Sequence, residues 1–227
     1  MMINHNIQAA VARDRQASLR TEAAAARLAR RARPRQAASR PGVQQPPGKQ
    51  IVLRDGSRVL IRPVQSADAP LLADGFARLS ATSRWMRFLT PKKELSPAEL
   101  RFLTDLDHHD HEALGALDHR DGRGVGVALY VRQADDPWGA DVAVTIVDEW
   151  QGRGLGTELL ARLSDRAREE NIRRFTALVA AENVAVGGLL RNARARLVGR
   201  ESDTLEYEIS LVPATGQARV PGALLPR

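Results

Sequence analysis

Residues 141–167 place a short apolar run, a glycine-rich loop and an amphipathic helical pattern in immediate succession. Asp141–Val147 reads as a strand, and the loop runs through Gln151, Gly152, Arg153, Gly154, Leu155, Gly156 and Thr157. Beyond it, Leu155, Leu159, Leu160, Leu163 and Ala167 recur at helical spacing. A strand that turns through glycines into a helix builds an anion site. The first turn of a helix leaves backbone N–H groups without partners, and its dipole adds roughly half a positive charge there. Glycines let the chain come close to a phosphate and accept positive φ where the turn demands it. Arg153 is expected to add charge from the side, and Thr157 a hydroxyl.

The chain carries a control for this reading. Asp121-Gly122-Arg123-Gly124-Val125-Gly126 has the same glycine spacing, but Val-Ala-Leu-Tyr-Val follows it. That pattern is a strand, so the second string is read as a turn between strands, with no helix start aimed at an anion. A P-loop would require Gly-Lys-Ser/Thr, and the loop at 151–157 has no Lys. A dinucleotide fingerprint belongs near the start of a parallel sheet with an acid at a later strand end. Here the loop comes late, and Glu170 lies near the end of the same helix.

The remaining pattern is mixed. Ile51-Val52-Leu53 and Val59-Leu60-Ile61 flank Asp55-Gly56, a hairpin signal. Helical material is expected from Ser66 to Phe88 with Ser66 as cap. A second helix is expected from Ser96-Pro97-Ala98-Glu99, a cap with Pro at the first position and an acid three residues on. Strands follow at Ala113–Leu117 and Val125–Arg132, then at Phe175–Ala180. A helix at Asn183–Arg194 and strands near Leu197–Gly199 and Leu205–Leu211 complete the order. The fold class is α+β, a mixed sheet layered with helices.

The net charge of +7 invites a nucleic-acid reading until it is located. Residues 1–50 hold ten Lys and Arg against two acids, whereas residues 51–212 hold 22 against 25. The basicity belongs to an Ala- and Arg-rich arm ending in a Pro/Gly linker, followed by a globular domain at 51–212 and a tail at 213–227. Such an arm is expected to attract an acidic partner or an anionic surface without specifying either. No base-stacking platform interleaved with Arg is visible, so specific nucleic-acid binding is not expected. No apolar run reaches membrane-spanning length, and the absence of cysteine rules out disulfides and thiolate metal sites. The absence of cysteine suits a cytoplasmic protein.

At the loop the chain resembles the GNAT superfamily of N-acetyltransferases, whose Gln/Arg-x-x-Gly-x-Gly/Ala motif is met by Gln151, Gly154 and Gly156. The family's Asn opening the next helix is met by Asn183. More narrowly, Asp55–Pro63, Ser83–Phe88 and Asp110–Leu114 look like the bacterial protein-lysine acetyltransferases. The resemblance implies a mostly antiparallel sheet with a V-shaped splay, acetyl-CoA as co-substrate, and direct attack of an amine on the thioester. It also implies that the pantetheine arm pairs with the strand Val144, Ile146 and Val147, and that a backbone N–H there holds the developing oxyanion. A base must take the amine's proton. The family's Glu on this strand corresponds to Asp141, one methylene shorter, and Glu112 is the next candidate. Where many relatives carry an acidic Tyr, this chain has Leu190. Two functions follow: acetyl transfer to an amine such as a protein lysine, or a non-catalytic acyl-CoA sensor or scaffold.

Two other groupings bear on chemistry. His108, His109, His111 and Glu112 crowd together, but adjacent histidines at a helix end rarely converge on one ion, so no metal is expected. Cationic imidazoles complementing the helix dipole are expected instead. Trp85, Phe88, Phe102 and Trp138 are read as core, with an acceptor groove as the other possibility.

Overall fold

The computed structural model describes residues 48–212. Most of the basic arm and all of the 213–227 tail therefore lie outside the described residues. The domain begins slightly earlier than the composition shift implies, because β1 (Lys49–Val52) already pairs with β2 (Arg58–Pro63). The hairpin turns where expected, with Gly56 at φ +83°.

A 3-10 turn at Ser66–Asp68 leads into α1 (Ala69–Ala77), and α2 spans Ala81–Phe88. The expected single helical stretch is thus broken at Arg78–Ser80. Ser66 does not cap it. The Asp68 carboxylate accepts the Gln65 N–H at 2.8 Å instead, while Ser80 caps α2 by accepting from the Ser83 N–H at 3.1 Å. Helix α3 (Pro97–Thr104) starts on the foreseen box: Ser96 accepts from the Glu99 N–H, and Glu99 accepts from the Ser96 N–H. Strands β3 (His111–Asp118), β4 (Gly124–Arg132) and β5 (Gly139–Ile146) form an antiparallel run. The second glycine string is the β3–β4 turn, with Gly122 at φ +71°.

After a 3-10 turn at Asp148–Trp150 comes α4 (Leu155–Glu169), which buries Leu155, Leu159, Leu160, Leu163 and Ala167 as its spacing requires. Strand β6 (Arg174–Ala180) follows. The expected helix at 183–194 is shorter, a 3-10 turn at Val184–Val186 and then α5 (Gly187–Asn192). Two β-branched residues and a Gly-Gly pair weaken helix propensity there. Strands β7 (Arg196–Glu201) and β8 (Thr204–Ser210) close the chain's order.

The eight strands form one sheet, ordered β1-β2-β3-β4-β5-β6-β8-β7, antiparallel except at β5–β6. Helix α4 covers one face, where Tyr130, Val142, Val144 and Phe175 pack with its leucines. The other face buries Val64, Ala113, Leu129 and Ala143 against Leu72 of α1 and Phe102 and Leu103 of α3. The parallel pair is short. Gly139, Ala140 and Asp141 pair with Arg174, Phe175 and Thr176, and beyond that point β5 pairs with β4 alone and β6 with β8 alone. The sheet therefore parts in a V whose vertex is Asp141. Half-buried Phe102 lies against His111 and half-buried Phe88 meets Phe76 edge-on, whereas Trp85 and Trp138 are exposed.

Candidate active site

Backbone groups of β5 that face the V have no ladder partner after Asp141. Alternate residues of a strand point their N–H and C=O to each side, so this edge offers hydrogen bonds to an extended ligand carrying amides. Val144 and Ile146 on this stretch line a cleft of about 420 Å³, together with Gln151, Gly152, Gly154, Leu155, Gly156 and Thr157. These residues were expected together, and the fold brings them together.

The loop's geometry explains its glycines. Gly152 and Gly154 adopt φ of +75° and +92°, a region that L side chains rarely enter. Gly154 is the N-cap of α4, and its carbonyl accepts the Thr157 and Glu158 N–H groups at 3.1 and 3.2 Å. The amides of Leu155 and Gly156 fall in the first turn, where no earlier carbonyl of the helix reaches them. Gln151 ties strand end to loop by donating to the Ile146 carbonyl at 3.0 Å. Asp148 pins α2 to the same place. Its carboxylate accepts from the Ser80 hydroxyl at 2.8 Å and N–H at 3.0 Å, and from the Ser83 hydroxyl at 2.7 Å.

Three expected contributors stand outside this cleft wall. Arg153 turns away from it. One guanidinium nitrogen lies 3.0 Å from both Ser57 Oγ and Asp55 Oδ2, the other donates to the Glu149 carbonyl at 2.6 Å, and the group covers the Trp150 ring. The cation in the wall is Arg54, from the β1–β2 turn. Val147 is buried, and its N–H donates to the Val125 carbonyl at 3.1 Å. Asn183 is buried at the start of the 3-10 turn whose following residues, Ala185, Val186, Gly188, Leu189 and Asn192, form the far wall. First-turn amides, one arginine and a free strand edge fit a long ligand bearing a diphosphate and amide bonds.

A second cavity of about 480 Å³ meets the V at its vertex and is lined by Gln133, Asp141, Thr176, Glu201, Asp203 and Glu206 among others. Asp141 is only 3% exposed, and Gln133 Nε2 donates to its Oδ1 at 2.7 Å while lying 3.3 Å from Thr176 Oγ1. Four carboxylates around one cavity create a negative field that favours a cation. Glu112 is elsewhere. It projects to the α4 face, 1% exposed, where it accepts from the Ala113 N–H at 2.9 Å and pairs with His108 at 2.9 Å and Arg166 at 3.5 Å.

Among the described residues no group of three metal-ligating side chains converges. The histidines divide. The hydrogen bond that His109 Nδ1 makes to the Glu170 carboxylate raises the pKa of that imidazole and so favours its charged form. His111 corrects the expectation, because burial pushes its imidazole down to about 4 and keeps it neutral. It opens a strand rather than ending a helix. Since the native state takes up this proton less readily than the unfolded chain, stability is lost as pH falls from about 6.5 toward about 4. His111→Phe, which keeps the stack on Phe102, is expected to remove up to about 3 kcal/mol of that acid sensitivity. Chemical denaturation at a series of pH values measures it, and an unchanged slope contradicts the assignment.

Residues 58–196 match the acetyltransferase (GNAT) domain. Acetyltransferase PA5475 of Pseudomonas aeruginosa is 39% identical over 139 residues, 60% of this chain and 74% of that protein. Acetyltransferase Pat of Mycolicibacterium smegmatis is 28% identical over 72% of this chain, a match spanning 49% of its own length. The GNAT domain of S. lividans PAT superposes with a TM-score of 0.67 at 27% identity, over 72% of this chain and 96% of that one. The Salmonella typhimurium protein yncA, solved with its cofactor acetyl-CoA, shares the fold at a TM-score of 0.57 and 20% identity, over 69% and 96% of the two chains. The parted strands and the glycine loop lie inside the matched span, and the chain belongs to the GNAT acetyltransferase family.

Proposed function

We propose that the protein transfers the acetyl group of acetyl-CoA to a primary amine, the ε-amine of a lysine in a protein. The observation that carries this reading is Asp141, a buried carboxylate at the vertex of the V, between the cofactor cleft and an acidic cavity. Acetyl-CoA supplies an activated thioester. Leu155 and Gly156 amides with Arg54 hold its diphosphate, and the free edge of β5 at Val144 and Ile146 aligns its pantetheine arm. Glu201, Asp203 and Glu206 draw an ammonium group into the second cavity. Asp141, fixed by Gln133, accepts the proton that the nitrogen must lose, directly or through one water. The amine nitrogen then bonds to the carbonyl carbon, the carbon–sulfur bond breaks, the thiolate leaves, and the nitrogen releases its second proton to water. Holding both substrates at one vertex supplies much of the rate by proximity.

Leu190 is buried in α5 where many relatives of the family have a tyrosine, so that position supplies no proton to the thiolate. The test is thiol release from acetyl-CoA with lysine peptides, free amines and peptides whose lysines are already acetylated. Turnover with the free lysine peptides, absent with the blocked ones, is expected. Tight acetyl-CoA binding with no turnover on any amine would favour the sensor or scaffold reading instead. Turnover confined to small amines would keep the transferase and remove the protein acceptor.

A further inference from the structure

Arg87 lies in the last turn of α2 and is 4% exposed. Its Nε donates to Thr145 Oγ1 at 3.0 Å, and its guanidinium carbon lies 4.9 Å from the Phe88 ring centroid. Among the described residues no carboxylate comes within ion-pair distance of it. Burial lowers its pKa to about 10, so the group is still cationic at neutral pH. A buried cation without a counter-ion is costly, and buried arginines are ordinarily paired.

The side chain lines a cavity of about 80 Å³ between α1, α2, α3 and the sheet. The other walls are mostly apolar, including Leu71, Leu72, Phe76 and Leu129. Among the described residues the single carboxylate in the wall is Asp68. It is held by both terminal nitrogens of Arg62, at 2.6 and 2.7 Å, and by the Gln65 N–H. The cavity is several times larger than the roughly 10–15 Å³ one water needs, and smaller than the ~150 Å³ void that admits benzene. Walls of this kind reject a hydrated inorganic ion and accept a small molecule with an apolar body and one negative end.

We propose that this cavity is a binding site for a short-chain aliphatic carboxylate, its tail among Leu71, Leu72, Phe76 and Leu129 and its carboxylate on the Arg87 guanidinium. The site is separate from the acetyl-CoA cleft. It stands on the opposite face of β5, and its contact to that strand is Thr145, which lies between the cleft residues Val144 and Ile146. The inference does not depend on which amine accepts the acetyl group.

The experiment uses the full chain with coenzyme A saturating its own cleft. Propionate is titrated by thermal shift and calorimetry against propionamide and propylamine, the neutral and cationic molecules of similar shape. Propionate is expected to raise Tm and bind at one site per chain, and the amide and amine are expected to do neither. Arg87→Met should fold, because it removes an uncompensated buried charge, and should weaken propionate about tenfold or more by losing the charge-assisted bonds. Leu72→Phe, which narrows the cavity and leaves Arg87 in place, should weaken it too. Failure of propionate to bind wild type overturns the site, as does equal binding of the amide. Should Arg87→Met not fold, unchanged affinity in Leu72→Phe overturns it.

Discussion

Gly154→Val is expected to abolish measurable acetyl-CoA binding, on the order of a hundredfold or greater loss, in a protein that still folds. Gly154 sits at φ +92° as the N-cap of α4, and a β-branched side chain is strained there whatever the free space. Relief requires the loop to rotate, which moves the Leu155 and Gly156 amides off the diphosphate. A Cβ at this position would also approach Arg54 Nε at 3.4 Å, displacing the cation of the cleft wall. The strain costs about 1–3 kcal/mol, which a well-packed domain tolerates. Gly156→Val reaches the same end by another route. Its Cβ would lie 3.7–3.8 Å from Leu189, Ile146 and Val144, ordinary contacts with the walls of the cleft, so valine occupies ligand space without backbone strain. Calorimetric titration measures both. An unchanged Kd in either variant, with a native circular dichroism spectrum, removes the loop from the binding site.

Asp141→Asn is expected to lower kcat/KM by about 10²–10³-fold while leaving the Kd for acetyl-CoA within twofold. The substitution is nearly isosteric, and the Asn oxygen still accepts the Gln133 hydrogen bond that Asp141 Oδ1 receives at 2.7 Å. What disappears is the capacity to hold a proton. The deficit should shrink toward high pH, across about pH 6 to 9, as the free amine fraction of the acceptor grows and less depends on a base. Wild-type kcat/KM at every pH would mean that another group deprotonates the amine.

The strand–loop–helix unit was legible because all its determinants are local. Glycines at 152, 154 and 156, a leucine stripe on α4 and the Ser96–Glu99 box each act within a turn or two of themselves. The contrast with Gly122–Gly126 was equally local, since only the residues that follow decide whether a helix begins. Long-range features were hidden. Arg54 reaches the cleft from a hairpin far upstream, while Arg153, beside the glycines, is taken by Asp55 and Ser57 of that same hairpin. The break between α1 and α2 depends on Ser80 meeting Asp148, 68 residues later. Glu112 on β3 and Asp141 on β5 are both acids beside the central strand β4, but they pair with its successive residues Tyr130 and Val131, and the two-residue period of the pleat sends them to opposite faces. His111 looked like a cation from its neighbours and is neutral because of what packs over it.

Three residue pairs are all that stitch β5 to β6. The domain is in that sense two leaves sharing a narrow spine, with β1 to β5 on one and β6 to β8 on the other. A molecule laid along the open margin of β5 occupies the place of an absent strand and closes the seam that the polypeptide leaves unsewn. Cohesion between the leaves should then follow the supply of coenzyme, so that the protein is mechanically weakest along that margin when the coenzyme is scarce.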